Sequence, residues 1–178
     1  MRKKSSKLFL YITLGIFSLM LFLMFFIELK LVMTLGFTVI LITSYIFYKK
    51  KIGQELIIAL LFAIGITSYY TYEYTSANLL FGKINLFPLV SWTFGLVLVR
   101  ELYEHLHDKY RFLLTCIIYW AGLFTVEYLG YHFWNIRLNS NYPSFLGLGF
   151  MHAQVGMKAF YVLAAPVYLA ITDYLKVK

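Results

Sequence analysis

A chain of 178 residues that is 61% hydrophobic and only 13% charged is no ordinary water-soluble domain, in which about a quarter of residues carry charge. Its net charge of +8 does not mark a nucleic-acid binder, because Lys and Arg fall in short clusters between apolar runs rather than along one face. Cys116 is the single cysteine, which excludes an intramolecular disulfide and a cysteine metal site; it reads as a small apolar thiol.

The apolar residues gather into six stretches: 8–27, 31–48, 56–73, 84–99, 112–131 and 145–172. A bilayer core about 30 Å thick is crossed by roughly 20 helical residues. The sequence therefore predicts an all-α polytopic integral membrane protein, one transmembrane domain (1–178) of six helices. The first stretch follows Arg2, Lys3, Lys4 and Lys7, as a secretory signal would. Its apolar core runs on through Phe25, Phe26 and Ile27 without small residues for cleavage, so it reads as a retained signal-anchor. Residues 28–30 leave room only for a tight hairpin between spans one and two. No lipidation motif closes the sequence at Leu175, Lys176, Val177 and Lys178.

The third span ends in Glu73-Tyr74, and Pro88 follows before the body of the fourth. The fifth ends in Glu127-Tyr128, and Pro143 follows before the sixth. This is a weak internal repeat, two hairpins of the form helix, Glu-Tyr, aromatic polar loop, Pro, helix. Starting on the same side of the membrane, they would be parallel copies. Tyr69, Tyr70, Tyr72, Tyr74, Tyr128 and Tyr131 lie near span ends, where tyrosine anchors at the interface. Between spans four and five, Glu101, Glu104, His105, His107, Asp108, Lys109 and Arg111 read as a cytoplasmic extension of the helix followed by a turn.

On the sixth span, Gln154, Lys158, Tyr161, Ala165, Tyr168 and Thr172 recur every three or four residues and share one helical face. That face suits the bundle interior or a cavity. Pro166 on the same helix deprives Val162 of its amide partner. Counted from the span ends, Glu127 and Lys158 both lie about 6 Å inside the outer boundary at ~1.5 Å per residue. Opposite charges at matched depth on consecutive antiparallel helices are expected to pair, directly or through water. The alternative is a snorkelling Lys158 and a protonated or capping Glu127.

The unusual polar residues thus gather on the outer side. Glu127, Glu73, His132, His152 and Lys158 are the candidate catalytic residues. Trp134, Asn135, Arg137, Gln154 and Tyr161 are the candidate substrate contacts. Carboxylate and imidazole suit acid–base chemistry, and Lys158 or Arg137 would stabilise an anion. His105 and His107 project about 200° apart on a helix and make a poor ligand pair. No Walker A sequence, GxSxG elbow, HExxH or paired cysteine occurs, so the sequence names no metal or other cofactor. The reading these residues support is a small membrane enzyme that modifies a lipid or isoprenoid in the outer half of the bilayer. Its partners would be membrane lipids and a lipid-like substrate, with no nucleic acid. One rival is a small transporter or channel subunit, although no charge sits midway along spans one to five. The other is a non-catalytic assembly subunit that contacts a membrane-protein partner.

Charge sets the orientation. Alternate connections carry twelve of the sixteen Lys and Arg on one side and four on the other. The basic side is the cytoplasmic one, which places both termini inside, at the plasma membrane in a prokaryote. Reporter fusions at Lys178 and within the 134–141 loop are expected to signal from opposite sides; signals from the same side would refute the arrangement.

Overall fold

The computed structural model describes residues 2–70, 72–75, 78–107, 109–140 and 142–175. The side chains of the basic clusters at 2–7 and 49–51, Asp108, and the lysines at 176 and 178 lie outside the described residues. Helices dominate: α1 (Arg2–Leu23), α2 (Leu29–Tyr69), α3 (Leu86–His105), α4 (Arg111–His132) and α5 (Val155–Tyr174). A two-stranded hairpin, β1 (Leu80–Phe81) and β2 (Ile84–Asn85), precedes α3, and a single 3₁₀ turn, Phe145–Gly147, lies before α5. The protein is all-α and polytopic.

α2 is two spans. A straight helix of its 41 residues would be about 60 Å long. Yet Lys30, at its start, holds its Nζ 4.8 Å from the ring centroid of Tyr74, just beyond its end. The chain therefore folds back on itself, and Tyr48 (φ −128°, ψ 28°) is the residue within it that leaves helical geometry. The arms Leu29–Tyr48 and Ile52–Tyr69, with α3, α4 and α5, are five segments long and apolar enough to cross a membrane. α1 has 22 residues, with a shorter apolar run, Tyr11–Leu23. It packs through Met20 on the first arm, where Gly36 leaves the room that a Cβ would take from the Met20 side chain.

Several boundaries differ from the hydropathy reading. The first helix stops at Leu23, and the third span stops at Tyr69, four residues short of Glu73. α3 runs on to His105, past the end of the apolar run at Val99, as the sequence suggests. The sixth span starts at Val155, because residues 145–151 cannot continue a helix: Leu146, Gly147, Gly149 and Met151 all have positive φ. The two Glu-Tyr pairs are consequently not equivalent. Glu73 lies past its helix and Glu127 inside α4, while Pro88 sits in the first turn of α3 and Pro143 lies far ahead of α5. These positions do not carry the parallel repeat.

The bundle packs on α5. Tyr161, Ala165, Tyr168 and Thr172 of its polar face are buried against α2 and α3, as the spacing predicts. The carbonyl of Val162, orphaned by Pro166, accepts from Trp120 Nε1 at 2.9 Å. One residue away, the Tyr119 hydroxyl donates to the Tyr161 carbonyl at 2.6 Å. These bonds tie α4 to α5 near mid-membrane.

The end of the bundle at which α3 and α5 finish is held by Arg100 of α3, which is only 6% exposed. Its Nη1 donates to Asp173 Oδ1 of α5 at 2.7 Å. Its Nε lies 3.5 Å from Glu55 Oε1 of α2 and 3.3 Å from Glu104 Oε1. Tyr103 donates to Asp173 Oδ2 at 2.6 Å, and Tyr168 to the Glu55 carbonyl at 3.2 Å.

At the outer end the loops pair with each other. Tyr74 bridges Leu138, Thr75 N–H donates to the Arg137 carbonyl, and Asn139 N–H to the Glu73 carbonyl. The buried Asn85 caps α3 by accepting from Phe87 N–H, and donates to the Tyr72 carbonyl. Tyr72 and Tyr74 are thereby fixed above the helices.

Arg100→Met is expected to lower stability by about 3–5 kcal/mol, since it strands Glu55 and Asp173. Arg100→Met combined with Glu55→Gln and Asp173→Asn should recover most of the loss in unfolding titrations of the detergent-solubilised protein.

Candidate functional site

α4 buries only Thr115, Cys116 and Gly130 among its described side chains. Held by α5 at mid-membrane and by the loops outside, it stands off from α3. The gap is a cavity of about 460 Å³. Its wall on α3 runs from Phe87 to Leu102, about 22 Å at 1.5 Å per residue, most of a bilayer's hydrocarbon depth. Ile118 to Tyr131 of α4 form the opposite wall, and Tyr72, Tyr74, Trp134 and His152 close the outer end. Small residues make the space: a Cβ at Gly95 or Gly122 would meet nothing within 4 Å.

The lining is apolar and aromatic, with few polar groups. Glu127 lines the cavity about a turn and a half below the end of α4. It makes no hydrogen bond or ion pair among the described residues. Ser91 Oγ and His152 Nδ1, also in the lining, are buried without partners. Trp92 Nε1 donates to the Tyr72 hydroxyl at 3.3 Å. The His152 ring stacks on Tyr131 with centroids 3.7 Å apart. Burial, then the neighbouring His132, Lys158 and Arg137, hold His152 below the ordinary imidazole range, so it is neutral at pH 7.

The residues singled out in the sequence divide among three places. Glu127, His152 and Trp134 share this cavity. Glu73 and Gln154 line a second, polar cavity of about 390 Å³ at the outer surface, with Tyr69, Tyr70, Ser140 and Tyr142. There Gln154 Nε2 donates to the Tyr142 hydroxyl at 2.8 Å. The remainder build the outer loops or the core. His132 Nε2 bonds the Gly149 carbonyl at 2.9 Å, and Arg137 Nε donates to the Tyr131 carbonyl at 3.0 Å. Asn135 takes the positive φ of a turn, and Tyr161 is buried against Trp92. Lys158 donates to the carbonyls of Pro143 and Ser144.

The expected convergence of Glu73, Glu127 and Lys158 is therefore corrected. Glu73 and Glu127 line different cavities, and no ion pair joins Glu127 to Lys158 among the described residues. Equal depth fixed the height of the two groups but not their azimuth, and Lys158 caps the 143–144 turn instead.

Sequence reasoning missed Ser91, Trp92, Tyr72, Tyr119, Gly95 and Gly122. One signal was present: Ser91 and Gly95, then Gly122, Val126 and Gly130, recur every four residues and mark thin faces on consecutive helices. Among the described residues no three His, Cys, Asp or Glu side chains converge as a metal site would require. Comparison with protein-family models, curated proteins and solved structures finds no match.

His152 should titrate by NMR below the usual imidazole value of about 6.5, and Arg137→Gln should raise its midpoint. Because the folded form binds the proton less readily than the unfolded chain, this group's contribution to stability is full above that value. It falls as pH drops through the folded midpoint. His152→Gln should remove that part of the acid slope.

Proposed function

We propose that the protein is a membrane enzyme that takes one apolar chain of a lipid or isoprenoid into the α3–α4 cavity and acts on its head by proton transfer at Glu127. The observation that carries this reading is the cavity itself, about 22 Å deep along α3, apolar along its length, with one carboxylate and two unpartnered polar atoms in its lining. A narrow apolar slot of that depth suits an extended chain better than a compact solute. Access is lateral, because α4 turns most of its side chains outward and buries so few.

In this reading Glu127 exchanges a proton with the substrate's polar end. His152, neutral, offers a lone pair or an N–H, and the Ser91 hydroxyl supplies a hydrogen bond that orients the head. Arg137 and Lys158 are engaged on loop carbonyls and keep the outer cap closed. The transporter reading draws less support. The polar face of α5 that would line an aqueous route is filled by packing, with Ala165 and Tyr168 fully buried.

The test is lipid mass spectrometry of membranes with and without the protein. The wild type should change one class of single-chain lipid or isoprenoid. Glu127→Gln should abolish the change, and Gly122→Leu, which fills open space, should abolish it while the protein still folds. An unchanged lipid profile, or full activity in Glu127→Gln, would defeat the proposal.

A further inference from the structure

The charge balance of the cavity narrows its ligand. Among the described residues Glu127 is the one carboxylate in the lining, and no Lys or Arg is found there. The cations at its rim are already engaged: Arg137 with the Tyr131 carbonyl and ring, Lys158 with the turn at Pro143, and Lys30 with Glu28 at 3.4 Å and the Tyr74 ring. His152 is the remaining basic group in the lining, and it is neutral at pH 7. The same cavity presents the rings of Tyr72 and Trp92.

An isolated carboxylate among aromatic faces in a low-dielectric slot is poorly matched to an anion. A phosphate head would place like charges together with no Lys or Arg in the lining to balance them, at a cost that grows as the dielectric falls. A hydroxyl head would satisfy one hydrogen bond and leave the carboxyl without a counter-charge. An ammonium balances it, donates to the carboxylate and to Ser91 Oγ, and lies favourably over tyrosine and tryptophan rings. We propose that the cavity selects a single-chain amphiphile with an amine head, bound by Glu127 and the surrounding aromatic rings. This deepens the reading of the cavity as a lipid-chain site and rests on it.

Octadecylamine, octadecanol and octadecyl phosphate share one chain and differ in head, and the amine is protonated at neutral pH as a lysine is. Each is titrated into the full-length protein in nanodiscs. Tryptophan fluorescence is the readout, because Trp92 and Trp134 line the cavity. The amine should bind at least about tenfold more tightly than the alcohol, with the phosphate weakest. Glu127→Gln should bring the amine down to the level of the alcohol, and an unchanged circular-dichroism melting profile would show that the variant is folded. Phosphate binding as tight as the amine, or an amine preference that survives Glu127→Gln, overturns the head-group inference. Gly122→Leu separates the two levels. If it removes all three probes but no amine preference was seen, only the inference about the head fails. If all three still bind, or none binds the wild type, the chain site itself fails and the inference falls with it.

Discussion

Arg100 is the point on which the arrangement of helices rests. Charges buried at a membrane boundary are costly, and they persist where partners from several helices surround them. Here one guanidinium gathers carboxylates from α2, α3 and α5, its rigid planar fork holding five donors in fixed directions. Three helices are thereby brought to one depth and one rotation at this end of the bundle. The pairing also gives α2 a reason to fold back at Tyr48: Glu55, just past the bend, must reach Arg100.

α4 stands largely outside that arrangement. It reaches toward it through Arg111, whose guanidinium lies 4.4 Å from the Tyr103 ring centroid, and through the buried Cys116, which packs with Val99 and Tyr103. Elsewhere α4 touches the bundle through Tyr119 and Trp120 and through the outer loops. Hydrophobic burial gives no incentive to close the remaining gap, since lipid tails solvate an apolar face as well as another helix does. A cavity beside α3 follows from this uneven attachment. It stays open because Gly95 and Gly122 carry no side chain to fill it.

Spans and their number of crossings were largely legible in the sequence because hydropathy acts locally, residue by residue. The inward polar face of α5 was legible because one helix period carries it. Rotation between helices was not. Glu127 and Lys158 stand at similar depth, but one residue along a helix turns a side chain by about 100°. Only packing against partners distant in sequence decides whether two such groups meet. For the same reason the grouping of Glu55, Arg100 and Asp173 was invisible, although each lies at the same end of its own span. The ends of the third and sixth spans were misjudged because an apolar run continues through a loop as readily as through a helix. The positive-φ residues from Leu146 to Met151 break the helix without breaking the hydropathy.

Pro166 and Trp120 share a single obligation. The proline withholds an amide hydrogen from the Val162 carbonyl, and the indole supplies one from a neighbouring helix. In a bilayer no water stands ready to take either role. Sequence drift at the two positions is therefore ordered. A descendant that first exchanges the proline for a residue bearing an amide hydrogen restores the helix's own bond and releases position 120 to vary. A descendant that loses the indole first carries a bare carbonyl in hydrocarbon until the proline follows.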